Sequence, residues 1–552
     1  MKKINVEYEE LPAVITIEDA TREGASLVHE RLEKKLSTFG KGMTCIDHER
    51  SNIYFHVRYE RGNVEDGFRA ADFIVEDSFF SASNQQYPLE AQIAVADFNG
   101  DGFTVWSSTQ SPFRVREEIS SLFKLDPVCV RMLVPYLGGG FGAKSVVGAE
   151  AVAATLSYMS KRPVRVAFSA DEMFKTICQP AAKMTIKTGL KKDGTIVSRR
   201  CEVYLNSGAY ANSVSSIATK SCYRAHGPYR IPNVSTDAYA IYSNTVPAGA
   251  FRGFGGHQTA FAIESHTDMI AHRLGMDPVE FRMRNLLDQG EEYAPGDTPI
   301  DCDVKDLLRQ LSQAIDWTAK DSEPRKPGAK RTKGVACVVK DGGGTKKEAN
   351  AIVKIQADGR VVLISGTVEI GQGSNTALSQ VVAEELSCPA EMIEFAAIDT
   401  NYTPYDTATN ATSGVFTMGR AVQQAARDAR EQMLSIAASV LGVAVAELSL
   451  KDGSIVSPKE KVGYADVLRG TEVSGKGCCE FGRNDQIPLG YPTPFWEVGL
   501  GAAEVEVDEM TGEVKILKFR SIADVGRIIN PLHCRGQEEG GVLFGIGQTL
   551  LE

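Results

Sequence analysis

The sequence predicts an α+β chain with several domains. Short runs rich in β-branched and aromatic residues alternate with amphipathic stretches of helical periodicity. Glycine-containing turns separate the strand-like runs at residues 191–198, 356–363 and 509–517, and such turns are typical of β-hairpins. The length of 552 residues, of which 43% are hydrophobic, allows about two to four separately packed cores.

Two helices are the clearest individual elements. Asp277 and Pro278 form a helix-opening pair, because aspartate caps the first amides and proline suits the first helical position. Apolar residues then recur at helical spacing as far as Leu287. A second helix is predicted over about residues 420–441.

Composition shifts divide the chain. Residues 317–333 are polar and basic and hold two prolines, which makes them the best candidate linker. The polar stretch from Thr21 to about Arg50 is predicted to start as a helix and to connect a small segment to the first large domain. The predicted parts are an N-terminal segment of residues 1–20, a connecting segment of 21–60, a first large domain of 61–316, a linker of 317–333 and a second large domain of 334–552.

The charge pattern argues against nucleic-acid and membrane partners. The chain has 60 Lys and Arg against 71 Asp and Glu, a net charge of −11, without a long basic run. The N-terminal residues are too broken by charge for a signal peptide, and no apolar stretch is long enough to cross a bilayer. We therefore expect a cytoplasmic protein.

The 11 cysteines are scattered without a C-x-x-C pair. This spacing argues against a zinc knuckle or an iron–sulfur cluster within the chain. An odd count without a secretion signal predicts reduced thiols that act mostly as small buried hydrophobic residues.

The most informative segment is the loop Leu137–Ser145, which follows a strand-like run and precedes a helix-like run. Its adjacent glycines let backbone amides approach an anionic ligand. A nucleotide-binding P-loop is an alternative because Lys144 and Ser145 fit that motif, but Ala143 stands where its last glycine belongs. A purely structural turn is a second alternative.

Three further glycine-bearing segments favour a long polar ligand held from several sides. They are Ala250–Gly256, Glu369–Gly373 and Gly536–Gly541. In the first of them Arg252 supplies a guanidinium, whose rigid fork of donors suits phosphate or oxo groups.

Taken together, these motifs resemble those of the molybdopterin-binding subunit of the xanthine dehydrogenase/aldehyde oxidase family. The resemblance runs nearly from end to end. The strings that carry it are VEYEELPAVITIEDA, GNVEDGFRAADFIVEDSF, SSTQSPF, GGGFGAK, NSGAYAN, PAGAFRGFGGHQ, GMDPVEFRMRNLL, GTVEIGQGSNT and VGRIINPLHCRGQEEGG.

The resemblance implies a fold, cofactors and partners. Residues 1–20 resemble the end of an α/β hammerhead domain, and two large molybdopterin-binding α+β domains follow, the second incomplete. The implied cofactor is molybdopterin, or molybdopterin cytosine dinucleotide, with molybdenum. The family also uses [2Fe-2S] clusters and FAD, which we expect only on partner subunits. The implied activity is hydroxylation of an aromatic N-heterocycle or aldehyde, with water as the oxygen source.

By motif matching, a defined set of residues should surround this cofactor. Those expected around molybdenum are Gln110, Phe141, Arg252 and Ala411. Those expected to hold the pterin are Gly139, Gly140, Phe141, Gly142, Phe251, Arg252, Gly253, Gly371, Gln372, Gly373, Thr412, Ser413 and Gln537.

The expected substrate pocket departs from that of purine-oxidising members. The resemblance implies that purine-oxidising members have an acidic residue and an arginine at two pocket positions. This chain has Ser145 and Gln179 at the corresponding positions. A pocket without these charged hydrogen-bonding partners loses its selectivity for xanthine, so we do not expect xanthine to be the substrate. Phe254 stands at one stacking position, while the facing aromatic position falls near Asp341. The carbon-monoxide-oxidising branch of the family has a cysteine in the loop that corresponds to Ala250–Gly253, and this chain has none there.

The general base of the family is a glutamate in a motif that we expect beyond Glu552, so the chain contains no nominated catalytic residue. Glu369 and Glu504 lack motif support for this role. On this interpretation we expect a further chain to supply the missing segment. The alternatives are a catalytically silent molybdopterin-binding remnant and a nucleotide-binding protein that uses the GGGFGAKS loop.

Overall fold

The computed structural model describes residues 5–30, 37–319, 328–344 and 346–551. It confirms a mixed α+β chain. The strands are β1 Met43–Ile46, β2 Ile53–Arg61, β3 Phe73–Ser81, β4 Ile93–Phe98, β5 Phe103–Ser107, β6 Val130–Val134, β7 Val164–Ala167, β8 Ala182–Leu190, β9 Ile196–Asn206, β10 Asn233–Ile241, β11 Ala329–Asp341, β12 Glu348–Ile355, β13 Val361–Ser365, β14 Ile393–Phe395, β15 Ile398–Asp399, β16 Ser449–Lys451, β17 Ser454–Val456, β18 Lys461–Gly463, β19 Val473–Glu480, β20 Trp496–Asp508 and β21 Val514–Asp524. The α-helices are α1 Ile17–Thr21, α2 Val64–Ala70, α3 Pro112–Phe123, α4 Ala149–Ser160, α5 Ala170–Met173, α6 Val214–Arg224, α7 Gly256–Leu274, α8 Pro278–Asn285, α9 Val304–Ala314, α10 Ser374–Leu386, α11 Gly419–Leu441, α12 Tyr464–Leu468 and α13 Pro531–Leu550.

The chain forms two compact units. The first comprises residues up to 85 and residues 175–287, and the second comprises residues 86–174 and residues from 288 onward. The segment 86–174, which lies inside the predicted first domain of 61–316, therefore packs with later residues. A physical reason is that β15 pairs antiparallel with β6, so a strand from the later half completes its sheet.

The first unit is built on a six-stranded sheet with the order β1-β2-β10-β9-β8-β3. Only the β10–β9 pair in this sheet is parallel. The inward-facing residues of β8 and β9 alternate with outward-facing ones, as expected for a sheet with one covered face. Helices α6 and α7 pack on this sheet. Residues of the N-terminal segment, Val14, Ile17 and Ala20, pack against Ile241 of β10.

The second unit contains several sheets. The sheet β15-β6-β5-β4-β7 is covered by α3 and α4, and the sheet β14-β13-β12-β19 is covered by α10 and α11. The remaining sheets are β11-β20-β21 and β16-β17-β18. Helix α11 lies very close to β19, because a Cβ atom at Gly475 or Gly477 would collide with backbone atoms of the helix.

Most predicted elements are confirmed. Asp277 caps α8 through the amides of Val279 and Glu280, α11 matches the second predicted helix, and the three predicted turns join β8 to β9, β12 to β13 and β20 to β21. The helix expected to begin at Thr21 instead ends there, before a turn at Gly24 with φ of +72°. Within the predicted linker, residues 320–327 lie outside the described residues, and β11 begins at Ala329.

Candidate functional site

The glycine loop between β6 and α4 is folded into tight turns. Gly139 and Gly142 have φ of +92° and +106°, and Phe141 between them has φ of +52°. This left-handed backbone suits glycine and is uncommon for residues with a side chain. At Gly140 a Cβ atom would lie 2.7 Å from Oε1 of Gln110. Glycine is therefore required for the loop to approach Gln110.

Gln110, in the loop after β5, joins the glycine loop to a distant part of the chain. Its Oε1 accepts a hydrogen bond from the Gly142 amide at 3.2 Å, and its Nε2 donates one to the Thr409 carbonyl at 2.7 Å. Its backbone N–H also donates to the Lys144 carbonyl at 3.0 Å. Gln110 is only 3% exposed. A buried amide that is bonded at both ends has a fixed orientation.

The loop of residues 408–413 carries two predicted site residues in an unusual conformation. Ala411 and Thr412 have φ of +54° and +60°, and both are exposed. A β-branched residue in this region is an outlier, and such outliers cluster at functional sites. The Gly343 amide donates to the Ala411 carbonyl at 2.8 Å. The loop thus presents a strained backbone that neighbouring segments hold in place.

The loop before α10 lies beside the glycine loop, because the Leu137 amide donates to the Glu369 carbonyl at 3.0 Å. The carboxylate of Glu369 accepts hydrogen bonds from the amides of Gly371 and Gly373, both at 2.9 Å, and from that of Asn375 at 3.0 Å. Glu369 therefore caps the start of α10. The carboxylate of Glu369 thus has a structural role at the start of this helix.

Gln372 uses its side-chain amide within the same loop. Its Oε1 accepts from the Ile370 amide at 2.7 Å, and its Nε2 donates to the Val368 carbonyl and to the Ser374 hydroxyl, both at 3.0 Å. The structure gives this residue a role in shaping the loop that the motif match did not indicate.

Helix α13 contacts two of these loops. The Phe544 ring lies 4.7 Å from the Phe141 ring, and a Cβ atom at Gly373 would collide with the His533 imidazole. Gln537 lies on the same helix and is exposed. The predicted cofactor residues of the second unit therefore lie on loops that contact one another and on the helix beside them.

These loops fit a bulky polar cofactor. A Cβ atom at Gly371 or at Gly414 would meet no other atom within 4 Å, so both backbones border open space. Small residues in left-handed turns let a ligand approach backbone groups closely. The loops before these two glycines are each fastened to the glycine loop, one through Leu137 and the other through Gln110, and a preformed site requires such fixed loops.

The predicted residues of the first unit lie in the turn before α7. Gly253 and Phe254 have φ of +100° and +48°, and Nη1 of Arg224 donates to their carbonyls at 3.1 and 2.8 Å. Phe251 is buried and Arg252 is half-buried. Arg224 is therefore a positioning residue for this turn, and no motif in the sequence indicated it.

Gln179 lies beside the same turn of the first unit. Cys178 pairs with the segment that leads into it, through hydrogen bonds with the Pro247 carbonyl at 3.1 Å and the Gly249 amide at 2.8 Å. Gln179 itself is 1% exposed and donates its backbone N–H to the Asn84 carbonyl at 2.6 Å. Gln179 thus follows a residue that pairs with the segment leading into the turn of Phe254.

Lys144 does not have the environment of a P-loop lysine. Its ammonium is buried and binds a carboxylate oxygen of Glu90 at 2.7 Å, and the same oxygen accepts the Gly138 amide at 3.0 Å. Burial lowers the pKa of Lys144, and Glu90 opposes this shift. Helix α4 begins only at Ala149, and Glu150 accepts the amide at its start. The loop thus lacks the helix-end phosphate site of a P-loop.

The position at which an aromatic residue was expected to face Phe254 is occupied by Asp341 and the glycines after it. Asp341, at the end of β11, is 4% exposed. The Phe495 ring packs on the next two residues, because a Cβ atom at Gly342 would collide with it. The Gly342 amide also donates to the Phe495 carbonyl at 3.0 Å. Ser145, the other pocket residue of this unit, is 9% exposed. Sequence matching placed Asp341 near this position but did not indicate Phe495, which lies just before β20.

The described residues outside these loops offer few further candidate sites. Five of the 11 cysteines are buried, and all are free thiols. No group of three or more metal-ligating side chains occurs among the residues that the structure describes. Over the same residues, no helix combines the length and the apolar character needed to cross a bilayer. Glu504, the other carboxylate considered, lies opposite Lys333 and Lys518 in the β11-β20-β21 sheet.

Comparison with known proteins agrees with this geometry. Two family models of a molybdopterin cofactor-binding domain match residues 46–286 and 308–552. The chain is 29% identical to the "Probable hypoxanthine oxidase" of Escherichia coli K12, over all of this chain and 61% of that protein. It is also 29% identical to the xanthine dehydrogenase molybdenum-binding subunit of Escherichia coli O157:H7, over all of this chain and 72% of that protein.

Solved structures show the same fold. Quinoline 2-oxidoreductase from Pseudomonas putida 86 superposes with a TM-score of 0.87 at 24% identity, over 100% of this chain and 72% of that one. An aldehyde oxidoreductase from Desulfovibrio gigas gives 0.83 at 24% identity, over 99% and 57%. With the two family models covering most of the sequence, the chain belongs to the molybdopterin-binding (large) subunits of the xanthine dehydrogenase family.

Proposed function

We propose that this chain is the molybdenum-cofactor-binding subunit of a hydroxylase that oxidises an aromatic N-heterocycle or an aldehyde, with water as the source of the oxygen. The observation that carries the proposal is the position of Gln110. This residue is buried and joins the glycine loop to the loop of Ala411, two segments that are far apart in sequence.

The cofactor, when bound, supplies the oxygen-transfer and two-electron redox chemistry, as cofactors generally do. The chain supplies binding and orientation. Gly140 and Gly142 allow close approach beside Gln110, and Ala411 and Thr412 offer a small, exposed and restrained surface. We assign the pterin to these loops and to Gln372 and Gln537, with either molybdopterin or its cytosine dinucleotide as the bound form.

We assign the guanidinium of Arg252 to the anionic or oxo groups of the cofactor, because its planar donors suit such acceptors. The turn that holds it is restrained by two hydrogen bonds from Arg224. In this proposal Arg252 stabilises charge, while Arg224 fixes the backbone that carries it.

Turnover requires an exit for electrons. No cluster of metal-ligating side chains occurs within the described ranges, and the cysteine spacing has no iron–sulfur pattern. The proposal therefore places the [2Fe-2S] clusters and FAD on partner subunits.

The substrate class follows from the two uncharged pocket positions. Ser145 and Gln179 lack the charges that would read the polar edges of xanthine. Phe254, in the turn before α7, supplies aromatic surface. A planar heterocycle or an aromatic aldehyde suits these residues better than a purine dione.

The proposal is tested on the complex purified from its native host. Elemental analysis and pterin detection should give near-stoichiometric molybdenum, and oxygen-18-labelled water should label the product of N-heterocycle or aldehyde oxidation. Arg252→Ala should impair turnover, while Arg284→Ala, an exposed partner of Asp193 in the same unit, serves as the control. Freshly isolated, folded complex without molybdenum would favour the silent-remnant alternative instead.

A further inference from the structure

Lys347 is a buried cation that neither the glycine motifs nor the family match singled out. The residue is 6% exposed and lies just before β12. Its ammonium donates to the Ala408 carbonyl at 3.1 Å and to the side-chain oxygen of Asn410. Both acceptors belong to the loop of residues 408–413, so the charge is directed at this loop.

The loop needs such restraint. Ala411 and Thr412 follow directly after Asn410, and both have the left-handed backbone that residues with side chains avoid. A strained conformation of this kind persists only where its surroundings fix it. The Gln110 amide fixes the loop at Thr409, and Lys347 fixes it at the two residues on either side of Thr409.

The surroundings of Lys347 are arranged to keep a cation there. Burial lowers the pKa of Lys347 to about 8, and the nearby Asp406 opposes that shift. Asp406 is itself buried, and its carboxylate accepts a hydrogen bond from the Thr367 hydroxyl at 2.9 Å. Gly344 leaves room for the lysine chain, since a Cβ atom at Gly344 would lie 3.3 Å from Cε of Lys347.

We propose that Lys347 is a positioning residue of the cofactor site: it clamps Ala408 and Asn410 so that Ala411 and Thr412 are held in the conformation that meets the cofactor. The inference rests on the proposed function, because it is that function which places the cofactor at Ala411. Lys347 acts through the loop and takes no part in the chemistry itself.

The test compares Lys347→Met with Lys346→Met in the purified complex. Lys346 is the matched control, because it is adjacent and exposed. The readouts are molybdenum per polypeptide after dialysis, hydrogen exchange of residues 406–414, and the Mo(V) electron paramagnetic resonance signal of the molybdenum that remains. For Lys347→Met we expect about tenfold less retained molybdenum, as for other residues that support metal ligands, faster exchange in 406–414 and an altered signal. Lys346→Met should match the wild type.

Unchanged retention, exchange and signal in folded Lys347→Met would overturn the inference. If that variant does not fold, Asn410→Ala removes one of the two acceptors from the exposed side of the loop and should speed exchange in 406–414 severalfold; unchanged exchange would overturn the inference equally. A wild-type complex without molybdenum would defeat the proposed function, while the exchange comparison would still decide whether Lys347 restrains the loop.

Discussion

The ammonium of Lys144 lies 2.7 Å from a carboxylate oxygen of Glu90 and is fully buried by its surroundings. The lysine that gave the glycine loop its likeness to a P-loop is therefore occupied by an internal ion pair. Because Glu90 also accepts the Gly138 amide at 3.0 Å, the pair fixes the start of the loop to its end.

Glu90→Gln should lower the free energy of unfolding by about 2 kcal/mol, because it leaves a buried ammonium without its carboxylate. The loss is reduced by the partial exposure of Glu90, which is 36% exposed. Urea unfolding measures it, with Glu76→Gln in an exposed pair with Lys187 as the control. The same samples should show no saturable ATP binding; binding that Lys144→Ala abolishes would instead support the nucleotide-binding alternative.

Gln110→Ala should destabilise the chain by about 3 kcal/mol, because it leaves the Gly142 amide and the Thr409 carbonyl without their partner. Urea unfolding is again the measurement. Gln432→Ala is the control, since the exposed Gln432 also donates to two acceptors, Asp428 and Ser474, and should change stability by less than about 0.5 kcal/mol. Equal losses for the two variants would show that Gln110 does not join the loops.

Thr412→Gly should stabilise the cofactor-free chain by about 1 kcal/mol, because glycine adopts a φ of +60° without the strain of a β-branched residue. Ser413→Gly is the control of opposite sign, since Ser413 has a φ of −80° and its hydroxyl donates to the Asn410 carbonyl at 2.7 Å. Thermal melts of both variants against the wild type decide the matter. A lower melting temperature for Thr412→Gly would mean that the threonine side chain stabilises the chain by more than its left-handed backbone destabilises it.

Acid should destabilise the first unit through His266. Burial lowers the pKa of His266 to about 4, the charge of Arg199 adds to this shift, and Asp77 opposes it. In the neutral ring, Nε2 of His266 accepts from the hydroxyl of Thr188 at 2.9 Å, and this hydroxyl accepts from Nε of Arg199 at 3.1 Å. His266 is thus held neutral, with Nδ1 donating to Asp77 at 2.8 Å.

The sign of the pH effect follows from the two pKa values of His266. Between pH 6.5 and 4 the unfolded chain binds a proton that the folded chain does not, so stability falls as the pH falls through this window. The expected loss between pH 7 and 4.5 is about 2 to 3 kcal/mol. Urea unfolding at both pH values, compared with His266→Gln, isolates this contribution. An equal loss in the variant would assign the acid sensitivity to other groups.

Ser145→Glu combined with Gln179→Arg should shift the ratio of kcat/KM values for hypoxanthine and an aromatic aldehyde by about tenfold toward the purine. Both positions are nearly buried, at 9% and 1% exposed. Molybdenum content must therefore be measured on the same samples to exclude a packing defect. A double variant with normal molybdenum and unchanged preference would show that these positions do not read the substrate.

Much of the local structure was determined by the sequence itself. The capping aspartate and proline at residues 277 and 278 define the start of α8, and glycine-containing turns mark three hairpins. The order of glycine-rich motifs indicated the family, which the family models confirm. These features depend on backbone geometry over a few residues, so they can be recognised from short stretches of sequence.

The long-range relationships were decided only by the tertiary structure. Three of them join residues that no local pattern connects: the pairing of β15 with β6, the hydrogen bond from Gln110 to Thr409, and the ion pair of Lys144 with Glu90. Lys347 lies in an ordinary polar run of the sequence, and only packing buries its charge under the loop of Ala411. A motif determines which backbone conformations are possible, whereas the partner of a buried charge or amide depends on which distant segments the whole fold brings together.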